Sequence, residues 1–80
     1  MLFLNKFELV QSIISKIMNV SVEKVTLESV KSDFENWDSL NQLNLVMELE
    51  ANFNVSIPID EIANIDSVQS ILHILNNIHN

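Results

Sequence analysis

Few side chains in this 80-residue chain are equipped for chemistry. There is no cysteine, which removes disulfides, thiolate metal sites and any nucleophilic sulfur of the chain's own. There is no glycine, which removes the Gly-rich phosphate loops and the Gly-x-Ser-x-Gly elbow. His73 and His79 fall in the last helix and its tail and share no face at metal-ligand spacing. They read as solvated surface residues. Asp60 and Glu61 are adjacent carboxylates, a pattern that suits a helix start better than an acid/base pair. No Ser–His–Asp arrangement can be argued from spacing alone. No catalytic residue and no metal ligand is therefore assigned. The side chain that stands out by position is Ser39, which follows Asp38 where a helix begins. An oxygen placed there faces unpaired backbone N–H groups and the positive end of the helix dipole, and both stabilise an attached phosphate. Asp-Ser at a helix start is also ordinary capping, so the tripeptide Asp38-Ser39-Leu40 leaves both readings open.

The helix that must position Ser39 runs from Asp38 or Ser39 to about Phe53, with Asp38 as N-cap and Asn54 as stop. At about 100° per residue, Leu45, Val46, Leu49 and Phe53 share one side. Leu40, Leu43, Met47 and Ala51 share nearly the opposite side. Either the helix is sandwiched between neighbours, or the second stripe faces a partner, with Leu40 and Met47 at its centre. Asn41, Asn44 and Glu48 form a polar edge between the stripes.

An earlier helix is marked by Phe7, Val10, Ile13, Ile14 and Ile17. Asn5 with Glu8 fits a capping box, Leu4 with Leu9 a hydrophobic staple, and Asn19 a left-handed stop. From Asn19 to Asp38 no period is sustained. Val20, Val22, Val25, Leu27 and Phe34 are expected to peg this long connection to the core, with a short helical turn near Glu23. After Pro58, residues 60–65 have room for one or two helical turns. The last helix begins near Asp66 or Ser67, with Asp66 and Gln69 as a capping box and Val68, Ile71, Leu72, Leu75 and Ile78 on its apolar face. The predicted fold is a single all-α domain over residues 1–80. It is a four-helix bundle with three longer helices, a short third helix and a long first connection.

Composition bounds the partners. The hydrophobic fraction is 48%, as a domain this small requires for a dense core. Four lysines stand against 11 acids, for a net charge of −7. Nucleic acid and anionic membrane surfaces are thus poor partners; a basic protein partner fits, and so does an acidic surface that merely keeps a small domain soluble, the reading that charge alone favours. The run Met1-Leu2-Phe3-Leu4 is too short for a signal core or a membrane span, so the expected location is the cytoplasm.

The stretch Trp37-Asp38-Ser39-Leu40-Asn41-Gln42-Leu43-Asn44-Leu45-Val46-Met47-Glu48-Leu49-Glu50 resembles the acyl carrier protein family. The resemblance continues through Phe53, Ile57-Pro58 and Ile65-Asp66-Ser67-Val68, in family order and spacing. It implies the same four-helix bundle. It implies that Ser39 carries 4′-phosphopantetheine, transferred from coenzyme A by a separate phosphopantetheinyl transferase, with Asp38 beside it. The arm's thiol would hold cargo as a thioester, and the chain itself would catalyse nothing. By position, Asp38, Leu40, Leu43, Met47 and Glu48 would dock acyl-loading and acyl-using enzymes with basic or apolar patches. Ile57, Ile62 and Ile65 would border the cargo or the arm. Asn36 stands where the family commonly has glycine, and asparagine tolerates the left-handed geometry expected there. The stretch from Phe34 to Ser39 is shorter than in typical fatty-acid carriers, and Asn41 and Asn44 replace frequent acids. These departures are similar to the stand-alone Trp-Asp-Ser-Leu type. They imply a monomeric carrier in a specialised biosynthetic pathway, with general fatty acid synthesis as the alternative. A non-carrier helical adaptor that binds through Leu40 and Met47 is the alternative of another class.

Overall fold

Asn5 opens the first helix: its side chain accepts from the Glu8 amide at 2.8 Å. The computed structural model describes residues 5–78. Helix α1 spans Lys6–Met18 and stops at Asn19, whose backbone is left-handed at φ 59°. Only the Asn5 half of the expected capping box is formed. The Leu4 side of the proposed staple lies outside the described residues, as does His79. Helix α2 spans Ser39–Phe53 between Asp38, whose carboxylate accepts from the Asn41 amide, and Asn54, left-handed at φ 56°. Helix α3 is short, Ile59–Ile62, and begins one residue before the predicted turns. Helix α4 spans Val68–Asn77. Among the described residues the fold is all-helical, with three longer helices and a short third one, as the sequence predicts.

The capping box of α4 is not Asp66 with Gln69. Ser67 Oγ accepts from the Ser70 amide at 2.9 Å, and Ser70 Oγ accepts from the Ser67 amide at 3.0 Å. A hydroxyl reaches its own helix start from either end of this pair, so serine serves at the third position where Glu or Gln is usual. The apolar face of α4 is completed by Ile74, which the expected set omitted, while Leu72 is half-buried.

The core joins Val10, Ile14 and Met18 of α1, Leu45 and Leu49 of α2, and Val68 and Ile71 of α4. Val25 and Ile65 enter it from the connections. Each such side chain contributes about 1.5–3 kcal/mol on burial.

The long first connection is pegged by fewer apolar residues than expected. Val25 and Phe34 are buried, but Val22 and Leu27 are exposed. Hydrogen bonds take over from the missing pegs. Gln11 Nε2 donates to the carbonyls of Val22 and Val25 at 3.1 and 2.8 Å. Between them lies the expected turn, a 3₁₀ turn at Val22–Lys24. A second 3₁₀ turn, Lys31–Asp33, was not foreseen. It is closed by Asp33 Oδ2 accepting from the Val30 amide at 2.9 Å. An isolated antiparallel bridge pairs Val30 with Ser67. There the Lys31 amide donates to the Asp66 carbonyl at 2.7 Å and the Val68 amide to the Ser29 carbonyl at 3.0 Å. This bridge fastens the connection to the start of α4.

The two stripes of α2 have different fates. Leu45, Val46 and Leu49 are buried and Phe53 packs against the core, whereas Leu40, Leu43 and Met47 are 68%, 54% and 59% exposed. Among the described residues no element covers the second stripe, so the sandwich reading falls. Leu45→Ala should therefore lower the unfolding free energy by about 2–5 kcal/mol. Leu43→Ala, two residues away, should change it by less than about 0.5 kcal/mol. Urea denaturation of the two variants measures the contrast.

Candidate functional site

Ser39 is the first residue of α2 and is exposed. The helix-start bonds leave its hydroxyl out: Asp38 Oδ1 accepts from the Asn41 amide at 2.8 Å, and the Asp38 carbonyl accepts from the Gln42 amide at 2.8 Å. The Ser39 and Leu40 amides precede that first helical bond and point out of the helix end. An anion on Ser39 Oγ would meet them together with the positive dipole.

The turn before Ser39 is built without a left-handed residue. Positive φ occurs, among the described residues, only at Asn19 and Asn54, so the expectation for Asn36 is corrected. Asn36 closes the turn with its carbonyl instead, which accepts from the Asp38 amide at 2.9 Å and from Asn41 Nδ2 at 2.8 Å. Its own side chain donates to the Met18 carbonyl at 2.9 Å, tying the turn to the end of α1. Asn41 and Asn44 extend this as a chain, Asn44 Nδ2 donating to Asn41 Oδ1 at 3.0 Å.

Beside Ser39 lies an open groove of about 560 Å³ between α2 and α3. Ser39, Gln42 and Leu43 form its α2 side, and Ile59, Ile62 and Ala63 its α3 side. Ile65, Asp66 and Lys31 close the end. Of the three residues expected to border cargo or arm, Ile62 and Ile65 are here. Ile57 is not a lining residue: it is buried in the core, and its amide donates to Glu50 Oε2 at 2.7 Å. Leu40 and Met47 are exposed on α2 outside this groove, and Leu43 belongs to both surfaces. Glu48 is half-buried along the α2 edge, where Asn52 Nδ2 donates to its carbonyl at 2.8 Å.

Gln42 was not singled out in the sequence, and it organises the site. Its Oε1 accepts from Trp37 Nε1 at 2.6 Å. Its Nε2 donates to the carbonyls of Ile62 and Ile65 at 2.8 and 2.9 Å. One side chain thus joins the residue two before Ser39, the helix bearing Ser39 and the far wall of the groove. The flipped amide would set NH2 against the indole N–H and oxygen against two carbonyls, so the orientation is fixed chemically. A signal was present in the sequence: Gln42 is the polar residue on the stripe of Leu45, Leu49 and Phe53. Trp37 is itself buried and lies against Phe34, ring centroids 6.0 Å apart. Lys31 and Ile59 were also missed; nothing in their local pattern marks them, since only the bridge and α3 bring them to the groove. His73 is exposed, and no cluster among the described residues could hold a metal ion. No described helix is long and apolar enough to cross a membrane.

The model of the phosphopantetheine attachment site family matches residues 8–75. An acyl carrier protein of Thermosynechococcus vestitus is 37% identical over 70 residues, covering 88% of this chain and 86% of that protein. One from Buchnera aphidicola subsp. Baizongia pistaciae is 36% identical over 66 residues, covering 82% and 85%. The solution NMR structure of a holo acyl carrier protein from Nitrosomonas europaea superposes with a TM-score of 0.77 at 24% identity, covering 88% of this chain and 90% of that one. That likeness is one of fold. Trp37→Phe should cost about 1–3 kcal/mol of stability, because it leaves Gln42 Oε1 without its donor and removes ring volume. Guanidinium titration followed by far-UV circular dichroism measures it.

Proposed function

This chain belongs to the acyl carrier protein family, a family of carriers rather than enzymes that bear covalent 4′-phosphopantetheine, and on that premise we propose that Ser39 Oγ is the attachment point. The observation that carries this reading is an exposed serine hydroxyl at the start of α2, uncommitted to the cap and opening beside a groove of about 560 Å³. The arm supplies a thiol, which the chain lacks, to hold an acyl or aminoacyl group as a thioester. Asp38 keeps the helix end ordered while Ser39 is modified, since its carboxylate stays on the Asn41 amide. The Ser39 and Leu40 amides supply donors to the phosphodiester oxygens. Ile62 and Ile65, with Leu43 and Ile59, give that side of the site an apolar wall.

Leu40, Leu43 and Met47 form the docking stripe for a phosphopantetheinyl transferase and for acyl-loading and acyl-using enzymes. The stripe is apolar and uncovered, and Asn41, Asn44 and Glu48 give its edge one charge among three residues. Contact with partners therefore rests on apolar burial more than on ion pairs. The Trp37-Asp38-Ser39-Leu40 run and the weak charge edge favour a monomeric carrier dedicated to a specialised pathway over one serving general fatty acid synthesis. Trp37 of this run is tied to the groove by its bond to Gln42.

Incubation with coenzyme A and a broad-specificity phosphopantetheinyl transferase should add one phosphopantetheine to the intact mass. Ser39→Ala should abolish the gain while changing stability by less than about 0.5 kcal/mol, because Asp38 still caps α2. No gain with several transferases, or full partner function in Ser39→Ala, would overturn the carrier site in favour of a helical adaptor. For docking, Met47→Ala should weaken partner affinity about tenfold or more, whereas raising ionic strength should weaken it less. Affinity that collapses with salt and ignores Met47→Ala contradicts the apolar docking surface.

A further inference from the structure

Helix α3 has a weak hold of its own. It is four residues long, none of them buried, and Ile59 is 84% exposed. Its C-terminal carbonyls need partners. Ile65 N donates to the Ile62 carbonyl at 3.2 Å, and Gln42 Nε2 then reaches both the Ile62 and Ile65 carbonyls from α2. Both amide hydrogens are committed, and the amide oxygen holds the buried indole of Trp37. Leu45 and Leu49 on the buried side of α2 and Ile71 of α4 belong to the core, all fully or almost fully buried. Gln42, Ile62 and Ile65 all line the groove, so a way inward through the seam they form between α2 and α3 would have to part the bonds that join them. An alkyl chain taking that way would separate them and set carbonyls against hydrocarbon, which is unfavourable unless the lost bonds are replaced. The groove outside this barrier offers the Lys31 ammonium and the Asp66 carboxylate alongside its apolar wall.

We propose that Gln42 is a specificity-determining latch: by pinning α3 to α2 it keeps the carried group in the surface groove, and so selects a short acyl group with a polar substituent, such as an aminoacyl group, over a long alkyl chain. The inference rests on the carrier reading for its cargo, but the latch belongs to this chain's own geometry. Trp37 is a positioning residue in it, since it fixes the amide that bridges to α3.

The test compares alanyl and dodecanoyl groups on the modified 80-residue chain, read by methyl and amide NMR shifts and by Tm. In the unsubstituted chain, alanyl loading should shift the amides of Lys31 and Asp66. Dodecanoyl loading should leave the methyls of Leu45, Leu49 and Ile71 in place, the Tm unchanged and the Trp37 Nε1–H slow to exchange. In Gln42→Leu, dodecanoyl loading should move those methyls and raise Tm, a cargo-dependent response that a merely structural role does not produce. Gln42→Glu, which keeps an acceptor for Trp37 and loses both donors, should respond like Gln42→Leu and replaces it if that variant does not fold. Core methyls that move on dodecanoyl loading of the unsubstituted chain overturn the proposal, as do methyls that stay still in every folded Gln42 variant. The absence of other cysteines makes Ser39→Cys a unique thiol, and a dodecyl chain tethered there through a flexible iodoacetamide linker runs the same comparison without a transferase. A chain that accepts no phosphopantetheine therefore overturns the Ser39 reading, while the tethered chain still decides the latch.

Discussion

The hydrogen bonds of one glutamine hold the site together. Gln42 draws a donor from the segment before α2 and gives two to the segment after α3, from a position one turn into the helix that presents Ser39. The Trp37 N–H and the Ile65 carbonyl, left unpaired away from water, would each cost about 1–3 kcal/mol. The placement of the groove wall, the burial of Trp37 and the exposure of Ser39 are therefore linked through one side chain. A short third helix is enough for the fold because it does not stabilise itself; its carbonyl end is finished by a neighbour.

The same device recurs along the chain and accounts for folding without glycine. Asn19 and Asn54 take the two left-handed stops, where asparagine is the next-best choice. Elsewhere the connections are closed by side-chain amides donating to backbone carbonyls: Gln11 on Val22 and Val25, and Asn36 on Met18. An amide fixed in this way restrains a loop at both of its hydrogens and needs no unusual backbone angle from the loop itself. Exposed Val22 and Leu27 are tolerable for that reason, since the connection does not rely on them as anchors.

How much of this was legible in the sequence follows from the range of each interaction. Helix starts at Asn5 and Asp38 and stops at Asn19 and Asn54 depend on residues within one turn, and they read correctly. The two faces of α2 follow from period alone, although which face stayed open required the neighbours. The box at Ser67 was misplaced by one residue because Asp66-Gln69 and Ser67-Ser70 both offer side-chain oxygens at the same spacing. The groove was half legible. Ser39, Ile62 and Ile65 came from the resemblance, whereas Lys31 arrives through a bridge to residue 67 that no local pattern encodes. Ile57 was expected to border the cargo or the arm; it lies in the core outside the groove's lining, with its amide on the Glu50 carboxylate, and no local pattern separates the two placements. Gln42 was legible as an anomaly, a polar group on an apolar stripe, and such an anomaly means that a partner for it exists somewhere in the fold.

On the docking surface proposed above, the distribution of charge would separate encounter from contact. The chain carries a net −7, yet the exposed α2 face presents Leu40, Asn41, Leu43, Asn44 and Met47. Glu35 and Asp38 precede that face in the chain, Glu48 lies along its edge, and Asp66 stands at the end of the groove beside it. Charges at a rim act over about a Debye length of 8–10 Å and raise the rate of encounter with a basic enzyme surface. Apolar groups at the centre act only on contact and set the rate of departure. A carrier that visits successive enzymes gains from that separation, because fast encounter does not have to lengthen the stay. Since Leu45 and Leu49 bear the folding load on the opposite side of α2, the exposed face can vary at little cost to the bundle.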